Sequence, residues 1–597
     1  MRLKIVKLIT LIVITVLLLS MTPLPVSAAE EEETDIFYHI SPDFPKALKY
    51  YWDSSSGAYT ETRGGSKVLA FTMALASIGM SQELLNVPES ISEEDCPYAI
   101  ETALYPLEWA SRFFSDPYTR DKRGFVNFYD LDQGDASYTR ASKRTSDQAL
   151  LIRAMAQGIA LVSRNSTTSA KIPQWRKAIN ETWTFMEDRL HDSSNSGWAV
   201  GVTPINKTHY ATDWTKSVES NAWAIICLLP IAETVASATG LNKETIKNRC
   251  IEAMNFLGWH LFEGVGYVRP FASRDGSITP KFSTCRDIAL FGLAAMESYR
   301  ATNDSTYLIW AKQAMNYGLT ALWDNGFGGF FGSVSDEGDI LVTGKKTEDN
   351  FLAAQLLCQL VVHDTSDLYE PIVGTLLSIL RETMGWSQGT TTTDILYPTA
   401  VDRKLISNRI WNARTQGLVT FSLTNLPHIV YLERYSLYPI GRETPYILNL
   451  QLGYLPRLLL TIQGETSGIT FAENITTHGI TSIQFLPVQG SQVGFHNLDL
   501  ALSIRDVMFE SRTISIYCGG DILIPQGIIY LLALGVIVGV VIIIVTPPEI
   551  LKKWLEGLLP SVYAPRGGII VRDAVVERSM ASDSPRTGSK QEGEGPE

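Results

Sequence analysis

The chain has 597 residues, 45% of them hydrophobic and 10% aromatic, which is too apolar for a disordered polymer and long enough for more than one buried core. A net charge of −13 and an isoelectric point near 5.3 exclude bulk attraction to a phosphate backbone, so nucleic acid is not expected as a partner. Cys96, Cys227, Cys250, Cys285, Cys358 and Cys518 have no C-x-x-C spacing, which argues against a zinc site or a disulfide framework and leaves one isolated pair open; no metal motif or cofactor fingerprint is found.

At the start of the chain, Arg2, Lys4 and Lys7 precede an apolar run from Leu8 to Leu19, and Val26-Ser27-Ala28 supplies a small-residue cleavage site. Residues 1–29 therefore read as a removed signal peptide.

From there to about residue 430, glycine turns beside aromatic residues recur at Gly57, Gly124, Gly197, Gly266, Gly328 and Gly389, at intervals of 61 to 73 residues. Each turn lies between two stretches of helical periodicity. Outer helices are expected over 36–52, 98–114, 174–190, 244–262, 305–323 and 367–385; Trp109, Trp183, Trp259, Trp310 and Trp323 recur late in most of them as packing residues. Inner helices are expected over 66–80, 146–163, 219–238, 286–301, 348–363 and 413–426, and a helix apolar on nearly every face, such as Ala149-Leu150-Leu151-Ile152, belongs inside. The expected fold is mainly α: an (α/α)6 toroid of six helical hairpins over residues 36–430, with one kind of loop gathered on one face.

Those loops run to about 20 residues, a length that usually signals function. They mix Tyr129, Tyr267, Phe271 and Phe331 with Asp130, Asp132, Asp135, Arg269 and Asp275. Tyr138, Trp198, Tyr210, Trp214, Arg286 and Phe330 are the candidate substrate-binding residues, since rings stack on sugars and polar groups bind hydroxyls. At the starts of the inner helices a second register aligns Asp147, Asn221, Asp287, Asp349 and Thr415. Candidate catalytic carboxylates are Asp147 and Asp287 first, then Asp213 and Glu219, with Glu348 and Asp349 in the same ring. Paired carboxylates are what glycosidic hydrolysis needs, one to protonate the leaving oxygen and one to activate water or attack the sugar. The competing role for each acid is to cap a helix N-terminus and oppose its dipole.

On these turns the chain resembles the six-hairpin (α/α)6-toroid superfamily of glycoside hydrolases, polysaccharide lyases and sugar epimerases. Residues 323–355, from Trp323-Asp324-Asn325-Gly326 through Lys345, Glu348, Asp349 and Asn350, look like a unit of the YyaL-type toroids, relatives of N-acylglucosamine 2-epimerase. The resemblance covers residues 36–430 and implies a carbohydrate substrate. The N-acylglucosamine epimerases use barrel histidines for proton transfer, whereas the inner helices here carry only His363, with His428 just beyond the last. The paired Asp-Asp of some mannan-cleaving members is absent, as is the thioredoxin-like domain of the YyaL type.

After Tyr435 the runs at 446–450, 457–462, 481–485 and 513–517 alternate and are separated by Gly, Asn and Ser, the pattern of a small β-sandwich stalk over 435–520. The stretch 522–546 is almost wholly apolar and long enough to cross a bilayer, and Lys552 and Lys553 after it place the tail, 547–597, in the cytosol. The sequence thus describes a single-pass type I membrane protein with the toroid outside the cytoplasm. Sequons at Asn165, Asn180, Asn206, Asn303 and Asn474 are candidate glycosylation sites. The expected function is glycoside hydrolysis by paired carboxylates. The alternatives are a non-catalytic glycan-binding or scaffold toroid, and a lyase or epimerase using Tyr138, Tyr210, His209 and Arg286.

Overall fold

A computed structural model describes residues 36–518 except 39–47, 49–50, 87–96, 115–122, 135–141, 164–169, 207–208, 278, 364–367, 384–385, 388–394, 409, 435–445, 452–457, 465–469, 476–479, 486–493 and 505–506. The expected signal peptide, membrane span and tail lie outside the described residues, as do Asp135, Tyr138, Asn165 and Gly389.

The helices are α1 (Ala70–Asn86), α2 (Pro97–Phe113), α3 (Thr145–Val162), α4 (Ile172–Phe185), α5 (Val218–Leu228), α6 (Ala232–Thr239), α7 (Lys243–Phe256), α8 (Cys285–Thr302), α9 (Ser305–Ala321), α10 (Thr347–Val361), α11 (Tyr369–Ser378) and α12 (Ala413–Leu423). The six inner helices pack in a closed ring, α1 to α3 to α5 to α8 to α10 to α12 and back to α1. Five outer helices, α2, α4, α7, α9 and α11, each pack chiefly on the inner helix that precedes them in the chain. Every residue of α10 is buried, which is why its sequence is apolar and small on most faces.

Two expected helices change. The run expected over 219–238 breaks after Leu228 and resumes as α6 at 82°, because Pro230 cannot continue the helical hydrogen bonds. The first outer helix, expected over 36–52, begins instead as a strand, Ile36–Tyr38, with Leu48 helical. Trp109 and Trp183 are core residues as expected, but Trp259 is 71% exposed. Among the described residues no single helix is long and apolar enough to cross a membrane.

Three outer helices end in a π-helical turn, Met186–Leu190, Leu257–Leu261 and Ile379–Thr383. The turn glycines Gly57, Gly124, Gly197, Gly266 and Gly328 all have φ between +70° and +96°, the left-handed region that glycine enters without strain. At Gly124 space also demands it, since a Cβ would lie 2.6 Å from the Phe185 ring.

Beyond these turns the chain forms short antiparallel strands that tie each repeat to the next. Lys143–Arg144 pairs with Gly201–Asn206, Lys216–Ser217 with Phe271–Ala272, Phe282–Thr284 with Ser333–Ser335, and Lys345–Lys346 with Ala400–Val401. In each pair the residues leading into one inner helix are fixed by the following loop. The N-termini of α3, α5, α8 and α10 therefore open onto the loop face.

The C-terminal strands make two four-stranded antiparallel sheets. One runs Ile36–Tyr38, His428–Arg434, Tyr446–Gln451, Ile480–Phe485, and so starts before residue 435 and recruits the N-terminal strand. The other runs Thr470–Ile475, Leu458–Gly464, Gly494–Ile504, Val507–Cys518. It packs on α11, where a Cβ at Gly374 would lie 2.5 Å from Ile504, and Leu500, Leu502 and Ile504 join the toroid's core.

Candidate active site at the toroid mouth

Two devices hold the mouth rigid. Lys143, Lys216 and Lys345 stand two residues ahead of α3, α5 and α10 and are fully buried. Each ammonium donates to a carbonyl at or beside the glycine turn: Lys143 to Arg123 at 2.7 Å, Lys216 to Asn195 at 3.1 Å, Lys345 to Gly328 at 2.5 Å. Lys216 also meets Asp192 at 3.2 Å and Lys345 meets Asp324 at 3.0 Å. Burial pulls both lysines below their usual range; against burial, hydrogen bonds and the ammonium hold both aspartates below theirs.

The second device is a side-chain amide one turn into the helix. Gln148, Asn221, Asn350 and Gln416 each accept the backbone N–H of an aromatic in the preceding loop and donate to its carbonyl: Phe125, Trp198, Phe330 and Tyr397, at 2.6–3.2 Å. These pairs correct the expected register by one residue. Asn221 is the counterpart of Gln148, so the counterpart of Asp147 is Ser220. Capping falls to the residue before the helix, Ser217, Thr284 or Asn412. Asp147 and Asp349 make no cap bond to their helices.

With the register set, the second residues of α5, α8, α10 and α12 are Glu219, Arg286, Glu348 and Arg414, alternating in sign around the mouth. Arg286 is the hub. Its Nε donates to Asp349 at 2.8 Å, one Nη binds Glu348, and the other lies 3.5 Å from Glu219. Arg414 lies 3.4 Å from Glu219 and 3.8 Å from Glu348, and Glu348 also accepts from the Thr415 hydroxyl at 2.8 Å. Glu61, Phe271, Thr284, Asp287, Lys346 and Asn412 complete the wall of a cavity of about 640 Å³.

The carboxyls in this ring differ in acidity. Burial lifts Asp287 to about 7; Glu219 and Asp349 push the same way, while the Thr284 hydroxyl, which donates to Asp287, and Arg286 pull it back. Burial also lifts Asp147 to about 7, opposed by Arg144 and Arg414 and reinforced by Glu219. Burial raises Asp349. Glu348 goes the other way, because Arg286, Arg414 and Thr415 outweigh its burial. Neighbouring acids whose environments push them apart are a means of dividing proton donor from acceptor.

The structure thus brings Asp287, Glu219, Glu348, Asp349 and Arg286 into one cavity. It places other candidates elsewhere. Asp147 is 3% exposed and absent from the cavity wall. Asp213 ends an exposed strand and accepts the Thr215 N–H at 3.0 Å, as a turn residue does. Trp198 and Phe330 are core residues with no exposed ring to stack on a sugar. Tyr210 faces the Lys143 ammonium, and the Trp214 ring lies 4.2 Å from the Arg274 guanidinium. The aromatic that does face the cavity is Phe271, 42% exposed. It was present among the loop aromatics, but nothing in the sequence separates a ring that fills a turn from one that lines a wall. The buried lysines did carry a signal, their constant place two residues before a helix. Asn180 and Asn303 are exposed.

Solved structures with the same architecture can now be compared. D-mannose isomerase superposes with a TM-score of 0.51 at 11% identity, over 64% of this chain and 96% of that one. The fold is the six-hairpin (α/α)6 toroid. Cellobiose 2-epimerase from Spirochaeta thermophila matches at TM-score 0.50 and 13% identity, over 65% of this chain and 93% of its own. The cellobiose 2-epimerase of Bacillus thermoamylovorans matches at 0.50 and 10%, over 65% and 96%. Identities this low carry the fold alone. No protein-family model and no curated protein matches the chain.

Proposed function

We propose that the mouth of this toroid hydrolyses a glycosidic bond, with Asp287 as general acid and Glu219 as the partner carboxylate. The observation that carries the reading is a carboxyl lifted to about 7 beside a second, 40% exposed carboxylate in one cavity. Asp287 holds its proton near neutral pH and can deliver it to a leaving oxygen. The contacts of Glu219 with Arg286 and Arg414, at 3.5 and 3.4 Å, are longer than the roughly 2.7–2.9 Å of a tight charged hydrogen bond. Its oxygens are therefore available to a water or an anomeric carbon. Phe271 offers a face for a sugar ring.

Two features weigh against the neighbouring chemistries. Among the described residues no histidine lines the cavity, as histidine-based epimerisation would want. Arg286 is already committed to three carboxylates and has no fork left for a uronate. The three superposed enzymes are named for sugars, which agrees with a saccharide in this mouth. In the proposal the toroid is extracytoplasmic, anchored as a type I protein through 522–546, with Asn180 and Asn303 open to glycosylation.

The test is incubation with neutral, amino and uronic oligosaccharides, read by mass spectrometry. Gain of water on cleavage supports the reading; an unsaturated product makes the protein a lyase, and retention without change makes it a binding protein. Protease protection of the intact cell tests the orientation.

A further inference from the structure

Three aspartates hold the same place in the ring, the third residue of an inner helix: Asp147 in α3, Asp287 in α8 and Asp349 in α10. What differs is the residue before the helix. Ahead of α3 and α10 stand Arg144 and Lys346, neither of which makes a side-chain cap bond. Ahead of α8 stands Thr284, which does. The same hydroxyl device occurs at α5, where Ser217 accepts the Ser220 N–H at 3.0 Å and donates to the Ser220 hydroxyl at 2.9 Å. There it holds no acid. Among the described inner helices, α8 alone sets a hydroxyl cap against a carboxyl.

The contact at α8 works in both directions. Thr284 Oγ1 accepts the backbone N–H of Asp287 at 3.1 Å, and its own proton goes to Asp287 Oδ2. The following loop fixes Thr284, because its strand pairs with Ser333–Ser335 and the next N–H, that of Cys285, reaches the Gly332 carbonyl at 3.1 Å. The other carboxyl oxygen of Asp287, Oδ1, has no hydrogen bond among the described residues and is not sealed from solvent. Thr284 and Asp287 both line the cavity.

We propose that Thr284 is a positioning residue for the acid: it engages Oδ2 and leaves the proton of Asp287 on Oδ1, the oxygen open to the cavity. An oxygen that already accepts a hydroxyl proton is the poorer seat for the acid's own. As the glycosidic C–O bond breaks, its electron pair goes to the leaving oxygen, which takes the proton from Oδ1. The anomeric carbon takes its new bond from Glu219 or from a water beside it. The O–H electron pair stays on Asp287, where the Thr284 hydroxyl stabilises the carboxylate so formed. The role in catalysis rests on the reading of Asp287 as general acid; the seat of its proton can be tested without any substrate.

The test is a Thr284 series in the full-length protein. Each protein is melted from pH 4 to 9 beside its Asp287→Asn derivative, and the difference in stability levels off where folded Asp287 ionises. Glu219 on α5, Asp349 on α10 and Arg286 on α8 act on the same carboxyl and stay in place throughout, as do Glu61, Lys346, Glu348 and Arg414 in the cavity wall. Thr284→Val removes a donor to the charged form, so the levelling off moves up by roughly one pH unit. Thr284→Ser keeps the wild-type midpoint. Thr284→Gly, a change that costs a cap little, follows Thr284→Val and replaces it if the valine variant does not fold. On a saccharide that is turned over, Thr284→Val lowers kcat roughly tenfold with KM within about twofold, and Thr284→Ser restores kcat. An unmoved midpoint overturns the proposal, as does a serine variant that loses as much as the valine. A shifted midpoint in a protein that turns over no saccharide fails the hydrolase reading alone.

Discussion

Lys345 and Arg286 are both cations at the mouth of the same toroid, both surrounded by carboxylates, and they do opposite things. Lys345 is sealed: it has no exposed surface, its partner Asp324 is 2% exposed, and its remaining protons go to the carbonyls of Gly328 and Arg403. Arg286 faces a cavity and holds three carboxylates at unequal distances, while burial lifts the neighbouring Asp287 to about 7. A buried pair with every donor satisfied fixes a loop. A ring of charges around open volume, with acids pushed apart in acidity, is set up for proton transfer. What distinguishes scaffold from chemistry here is not the residue type but whether the geometry is closed.

Five substitutions sharpen that contrast. Asp287→Asn is expected to cut turnover by roughly 10²–10⁴ while leaving the melting temperature unlowered; full activity would remove Asp287 from the mechanism. Lys345→Met strands a buried carboxylate and is expected to cost about 3–5 kcal/mol in denaturant unfolding, with the folded fraction keeping its specific activity. A cost below about 1 kcal/mol would mean that the clamp is ornamental.

Asp147→Asn tests the pH behaviour. The pKa of Asp147 is raised from 3.8 to about 7 on folding, so its stabilising contribution is complete below pH 4 and is lost as pH rises through 7. An asparagine cannot ionise. The difference in stability, variant minus wild type, should therefore grow between pH 4 and 8, by up to about 4 kcal/mol, as read from melts across that range. A flat difference curve would mean that Asp147 titrates normally.

Asn350→Ala leaves the N–H and carbonyl of Phe330 without partners and should cost about 1–3 kcal/mol in the same unfolding assay. The smallest effect belongs to Phe271→Ala, which is expected to raise KM roughly three- to tenfold with stability within about 0.5 kcal/mol of wild type. An unchanged KM would take the ring out of the binding surface.

Much of the toroid was legible because its signals are local. A left-handed glycine between two apolar helical runs is written in a few residues, and the five expected turn glycines among the described residues all adopt that conformation. Inner-helix limits came within a few residues for the same reason. The 219–238 helix misled because its apolar pattern runs on across Pro230. The register slipped by one at Asn221, since an Asn beside a Ser looks like a capping residue and only its bond to Trp198 shows that it belongs one position later.

By itself the sequence determined the repeat, the face on which the loops gather, and that acids and arginines recur at the starts of the inner helices. These follow from periodicity and backbone conformation, which depend on near neighbours. Only the tertiary structure decided which of those acids share a cavity. Glu219 and Arg414 are 195 residues apart and meet across the mouth, while Trp198, one residue from its turn glycine, is sealed in the core. Closure of the ring brings distant helix starts together, and desolvation at that junction raises Asp287 and Asp147 while paired arginines lower Glu348. Burial and long-range charge are properties of the assembled ring, and no single repeat contains them.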